Sequence, residues 1–196
     1  MDVLRAIYGR RAIRQFEADT PSGKVIESVI ADAVQAPNSI NRQAWSFIVV
    51  QGRERLAAYS REAKAAALGA LPPAVTSELR GMLQAPDFNI FYDAPALVIV
   101  CATLDEPMVH QDCCLAAQTL MLAAHAKGLG TCWIGFAEGW LNLAQTKREL
   151  GIPPGHVAVA PIIIGYPREV PKPPGRRAAA IMWIGGPVAA ETVAAG

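Results

Sequence analysis

The chain has no surplus of either charge. Its 18 Lys+Arg stand against 17 Asp+Glu, a formal net charge of +1 over 196 residues. That excludes a broad basic face for nucleic acid, which needs a stripe of cations to neutralise a phosphate backbone. Long hydrophobic runs are also missing. The longest, "APALVIVCATL" (94–104) and "CCLAAQTLMLAAHA" (113–126), fall short of the roughly 20 residues that a membrane-spanning helix needs. The opening "MDVLRAIYGRR" is amphipathic and lacks the apolar core of a signal peptide. A cytoplasmic protein with no membrane partner is therefore expected. Cysteine is sparse, with 4 residues (Cys101, Cys113, Cys114 and Cys132) and no C-x-x-C pair. All four sit in apolar segments and read as buried, reduced thiols. His110, His125 and His156 show no metal-ligand spacing, and "HQDCC" (110–114) on a helix does not converge on one ion, so no metal is expected. There is no P-loop and no G-x-S-x-G. The glycines of "GLGTCWIG" (128–135) come after a helix and before a strand, the reverse of the dinucleotide fingerprint.

What the chain does have is apolar weight. Hydrophobic residues make up 52% of it and the mean hydropathy is +0.23. That richness suggests apolar surface buried against a second copy. Helices are predicted over 2–8, 22–36 (apolar at 25, 26, 29, 30, 33 and 34, with Ser22 as N-cap), 53–84 with a break at "LPP" (71–73), 108–127 and 138–152. The helix 108–127 is apolar nearly all round, which places it between the sheet and a partner. Strands are predicted at 45–50, 95–103 and 156–166, with a final strand at 178–185, and "GLGTCWIG" (128–135) ends the helix before it and leads into a short extended segment. The expected fold is α+β: about four strands and five or six helices, with a single domain over 1–185 and a tail over 186–196.

Four polar features remain. "YGRRAIRQF" (8–16) packs Arg10, Arg11 and Arg14 into five positions. Guanidinium suits bidentate contact with phosphate, although a solvated surface cluster would look the same. Positions 10 and 14 share a face if the helix persists; positions 10, 12 and 14 share one if the chain is extended. "APNSINRQAW" (36–45) offers Asn38, Ser39, Asn41, Arg42 and Gln43, which can read the edge of a heterocycle or form an ordinary polar loop. Gly135 would let backbone approach a flat ligand closely. "PKPPGRR" (171–177) carries Arg176 and Arg177 on a stiff segment. Asp93 and Glu138 are read as structural surface charges. Together the four features suit a phosphorylated, planar, hydrogen-bonding ligand, and flavin mononucleotide (FMN) has that shape.

In their order, "YGRRAIRQF", "APNSINRQAWSFIVV", "APALVIV", "GLGTCWIG", "IIIGYP" and the closing Pro-rich Arg segment resemble the nitroreductase family of FMN-dependent oxidoreductases. The resemblance covers residues 1–185. It implies a central, mostly antiparallel sheet flanked by helices, in an intertwined homodimer with two FMN sites at the interface. Arg10, Arg11, Ala12 and Arg14 match the segment that holds the phosphate and ribityl chain. Ala12 stands where the family often has Ser, so one hydroxyl contact is missing, and Ala44 stands where it often has Pro. Pro37, Asn38, Ser39 and Asn41, with Gln43 at the end, match the loop that the partner subunit lays against the flavin. Ile134 and Gly135 match the segment whose backbone faces the flavin. Arg176 best matches the late phosphate-binding arginine, with Arg177 as the alternative register. Residues 61–93, where a substrate channel would be lined, match nothing in the family pattern.

The implied activity is ping-pong hydride transfer from NADH or NADPH to nitroaromatic, quinone or similar conjugated acceptors, with the flavin rather than a catalytic side chain carrying the chemistry. Two alternatives stay open: a specialised member that acts on dehalogenation or enone substrates, and a module that stores FMN without NAD(P)H turnover.

Overall fold

The computed structural model describes residues 1–72 and 76–185. The proposed tail 186–196 and the end of the "LPP" break lie outside the described residues. In chain order the elements are α1 (Val3–Gly9), α2 (Gly23–Ala33), β1 (Trp45–Gln51), α3 (Arg53–Ala70), α4 (Ser77–Gln84), β2 (Ala96–Ala102), α5 (Pro107–Ala126), β3 (Gly130–Trp133), α6 (Glu138–Leu141), α7 (Ala144–Leu150) and β4 (Val157–Gly165). Short 3-10 turns lie at Ser39–Asn41 and Gly135–Ala137.

Local chemistry sets the boundaries. Asp2 caps α1 by accepting from the Leu4 and Arg5 N–H groups, and Ser22 caps α2 by accepting from Val25. Pro107 opens α5, and Gly128 at φ 79 turns the chain out of it towards β3.

The four strands form one antiparallel sheet in the order β1-β2-β4-β3. β2 is wholly buried, and its side chains alternate between two cores. Ala96, Val98, Val100 and Ala102 pack with Ile162 and Ile164 against α2 and α5. Leu97, Ile99 and Cys101 pack with Ile163 against Leu56 and Ala63 of α3 and Trp140 and Leu141 of α6. The sheet is therefore the middle of three layers, and α5 is the long strut on one face.

The structure corrects three expectations. Residues 138–152 form two helices, not one. Asn142 caps the end of the first, where its amide bonds both backbone groups of Ala158 at 2.9 Å, and the chain leaves the helical path at the extended Leu143. With that split the helices number seven among the described residues. Residues 178–185 form no strand. A strand needs a ladder partner, and this segment finds none among the described residues; Met182 is 93% and Trp183 72% exposed. Finally, Cys114 is exposed whereas Cys101, Cys113 and Cys132 are buried, because neighbouring helical positions point about 100° apart.

Candidate functional site

Helix α1 ends at Gly9, and the chain runs extended past Arg10, whose ψ is 134. Ala12 bridges Thr131 of β3, and the Ile13 N–H donates to the Thr131 carbonyl at 2.9 Å. The extended alternative therefore holds. Ile13 points inward and is buried, while Arg10, Ala12 and Arg14 line one groove. Pro171, Lys172, Pro174 and Arg176 form its other wall. The groove measures about 300 Å³. The segments 10–14 and 171–176 thus meet here, and Arg176, not Arg177, is the late arginine that lines it. Arg11 also borders the groove; its Nη1 donates to the Tyr8 and Arg10 carbonyls at 2.8 Å. This basic field, together with burial, is felt by His125 on α5. Burial first, then Arg10 and Arg11, hold its imidazole below the ordinary histidine range.

Arg14 also lines a second, neighbouring cleft of about 440 Å³. Phe88, Ile90, Tyr92, Trp133 and Phe136 supply most of its walls, and Ile134 and Gly135 supply backbone. A Cβ built on Gly135 would meet nothing within 4 Å, so the backbone there is open to a flat neighbour. Cys132 also borders the cleft; burial is the main reason its thiol sits above the ordinary range, and Arg14 and Arg10 pull the other way.

The wall at 88–92 is held by α3. Lys64, only 7% exposed, donates to the Ala85 and Phe88 carbonyls at 2.7 Å each. Buried Ser60 accepts from the Ile90 N–H at 3.0 Å, and Arg53 donates to the Asp93 carbonyl. Asp93 accepts from Asn89 Nδ2 at 2.8 Å, a structural contact.

The polar loop 37–43 is elsewhere. Its Ser39 N–H donates to both carboxylate oxygens of Asp112 at 3.1 Å, near the start of α5. His125, beside the arginines, is thirteen residues further along the same helix, about 20 Å at the helical rise. Pro37, Asn38, Ser39, Asn41 and Gln43 are therefore not brought to the basic groove of their own chain. The loop is nonetheless built with care. Ile40, Asn41 and Gln43 all have positive φ (45, 55 and 50). Asn38 Oδ1 accepts from the Gln43 N–H at 2.9 Å, and Arg42 pairs with Glu106 at 2.7 Å. Left-handed conformations at non-glycine residues persist only where the surroundings enforce them, and they gather at functional sites.

Sequence reasoning missed Phe88, Ile90, Tyr92, Trp133, Phe136 and Lys172 as lining residues. Trp133 and Phe136 border the glycine motif and could have been found there. Asp112, buried beneath the loop, had no signal beyond an acid in an apolar helix.

A profile of the nitroreductase family matches residues 7–166. The chain belongs to the nitroreductase family. It is an oxidoreductase, in keeping with its relatives. Proteins of Methanothermobacter thermautotrophicus and Archaeoglobus fulgidus are each 30% identical to it, over 175 and 173 residues. The matches cover 87% and 86% of this chain and 80% and 87% of theirs, and both bear the provisional name NADH dehydrogenase/NAD(P)H nitroreductase. Among solved structures, a Bacteroides fragilis nitroreductase with bound FMN superposes with a TM-score of 0.80 at 22% identity, covering 94% of this chain and 99% of that one. A Desulfitobacterium hafniense nitroreductase with bound FMN gives 0.77 at 25%, with the same coverage. The fold is nitroreductase-like, and the family match runs from within α1 to just past β4, including the basic segment, the polar loop and the cleft. Among the described residues no helix is long and apolar enough to cross a membrane.

Proposed function

We propose that the chain is an FMN-dependent oxidoreductase. It takes hydride from NADH or NADPH and reduces nitroaromatic, quinone or similar conjugated acceptors, the two substrates using one site in turn. The observation that carries this reading is Arg14, which is shared by a groove lined by Arg10, Arg11 and Arg176 and by an aromatic cleft beside it. The residues fit the cofactor. Arg10, Arg11, Lys172 and Arg176 suit a phosphate dianion. The open backbone at Gly135 and the rings of Trp133 and Phe136 suit a planar heterocycle.

Bound FMN would supply the hydride chemistry, and this chain's residues bind and tune it. The four cations hold the phosphate end. Arg14 brings positive charge to the ring end, which favours the more anionic, reduced cofactor. The aromatic walls exclude water. Among the described residues none that lines the groove or the cleft is acidic; Glu169 stands just beyond, beside Ala12, Arg14 and Pro171. A resident nucleotide fold is unnecessary because the nicotinamide substrate leaves after each half-reaction.

The site is completed by a second copy of the chain. Loop 37–43 is about 20 Å from the groove along α5, so it serves a cleft only from a partner. The surface supports a homodimer. Val3, Leu4, Ile7 and Tyr8 of α1, Met108 and Leu115 of α5, and Ile181–Ile184 are exposed apolar residues. The four free cysteines, three of them buried, support a cytoplasmic location.

The test is an absorbance spectrum of the purified protein with an anaerobic pulse of NADH or NADPH. Flavin bands that bleach, and return when a quinone or nitroaromatic is added, are the expected result. A colourless protein that takes up no added FMN would overturn the reading. A yellow protein that ignores both nucleotides would leave a storage module instead.

A further inference from the structure

Arg14 has an unusual support. Among the described residues no carboxylate or carbonyl accepts from its guanidinium. Its neighbour is the ring of Tyr92, with Cζ 5.5 Å from the ring centroid, within the range at which a cation is drawn to an aromatic face. Tyr92 itself sits in the left-handed region at φ 52, and Asp93 follows at φ 51. That is a rare conformation for a bulky residue and needs external bracing. The bracing is present. Asn89 holds the Asp93 carboxylate at 2.8 Å and the Phe91 N–H at 2.9 Å through its two amide atoms. Arg53 holds the Asp93 carbonyl. Phe88 meets the Tyr92 ring edge-on, with centroids 5.8 Å apart and planes at 81°. The strained turn thus fixes one ring face beneath one guanidinium, between groove and cleft.

We infer that Tyr92 is the positioning residue for Arg14, fixing its charge between groove and cleft so that it faces the bound ring rather than solvent. This rests on the FMN reading of the site. Without the ring, Arg14 is a long side chain with no other anchor among the described residues, and its charge is shared with water. The phosphate end, held by Arg10, Arg11, Lys172 and Arg176, is untouched. Tyr92 therefore acts on the difference between oxidised and reduced cofactor more than on total affinity.

The experiment compares the unsubstituted protein with Tyr92→Asn, Tyr92→Gly and Tyr92→Phe. Asparagine and glycine tolerate positive φ, so both remove the ring and keep the turn, while phenylalanine keeps the ring face. FMN affinity is read by fluorescence and the two-electron midpoint by anaerobic titration against a reference dye. Tyr92→Asn and Tyr92→Gly should weaken reduced FMN about tenfold more than oxidised FMN, moving the midpoint about 30 mV more negative. Tyr92→Phe should leave the midpoint in place. In an Arg14→Gln background, Tyr92→Asn should add no further shift, because both changes remove the same charge from the ring. A midpoint that does not move, with only thermal stability lowered, would make Tyr92 a scaffold residue. A shift that persists in the Arg14→Gln background would show that Tyr92 acts other than through Arg14. Failure of the unsubstituted protein to take up FMN would overturn the proposed function, and this inference with it.

Discussion

Gly130 decides how closely the arginine segment can lie against the sheet. A Cβ placed there would stand 2.7–2.8 Å from three side-chain atoms of Ile13. Ile13 lies between Ala12 and Arg14 and is the inward anchor of the extended run. Its N–H bond to Thr131 holds β3 and that run together. Gly130→Ala should therefore cost about 1–3 kcal/mol as an overpacking change. The same clash pushes the 10–14 strand outward, so phosphate affinity should fall with stability. Chemical denaturation and FMN titration of the same sample check both. Gly69 in α3 is the control: its Cβ would meet nothing within 4 Å, and Gly69→Ala should gain up to about 1 kcal/mol from helix propensity. Equal behaviour of the two variants would mean that the Ile13 contact does not constrain the site.

Helix α3 shapes the cleft without entering it. Its Arg53, Ser60 and Lys64 reach across to the backbone of 85–93 and fix where Phe88 and Tyr92 stand. Lys64 matters most because its ammonium is buried and holds two carbonyls. Lys64→Met should lower stability by about 3–6 kcal/mol, since hydrogen bonds from a charged donor contribute about 1.5–3 kcal/mol each and two carbonyls lose theirs. A urea midpoint measured on FMN-free protein tests this, and an unchanged midpoint would mean that water replaces the ammonium. Such long-range anchors also explain what the sequence could and could not reveal. Arg10 and Arg14 were legible as lining residues because three arginines crowd into five positions of an otherwise neutral chain, and the loop 37–43 because its polar residues fall between an apolar helix and strand. Phe88 and Tyr92 were not legible. Their position depends on Lys64 and Ser60, more than twenty residues away, and on a positive φ that aromatic residues give no hint of. The split of 138–152 was hidden for the same reason, since Asn142, at the helix end, bonds Ala158 across the fold. The apolar run in 178–185 was real, but a strand is a property of two segments and the second is not in this chain's described residues.

At the scale of the whole molecule the apolar surplus becomes a statement about assembly. Along α5 the exposed positions Met108, Gln111, Cys114, Leu115 and Gln118 recur every three or four residues, which is one continuous stripe. The same helix carries the polar loop's anchor Asp112 near its start and touches the arginine segment near its end. A second copy laid along that stripe would bring each loop to the other chain's cleft, so the interface and the active site form together. Cys114 reports on this directly. Its thiol is raised above the ordinary range, mainly by partial burial and then by Glu138, yet it lies at the surface of a single chain. Cys101 and Cys113 are pushed up to about 12, chiefly by burial, and stay inert until the core opens. In micromolar protein at mildly alkaline pH, a thiol reagent should label none of the four quickly. Dilution into the nanomolar range, or mild urea below the global transition, should release Cys114 first, with FMN lost in step. Peptide mass mapping reads the site, and flavin fluorescence reads the cofactor. Prompt labelling of Cys114 in concentrated, FMN-loaded protein would show the α5 stripe to be open, and the second copy would have to complete the cleft by another face.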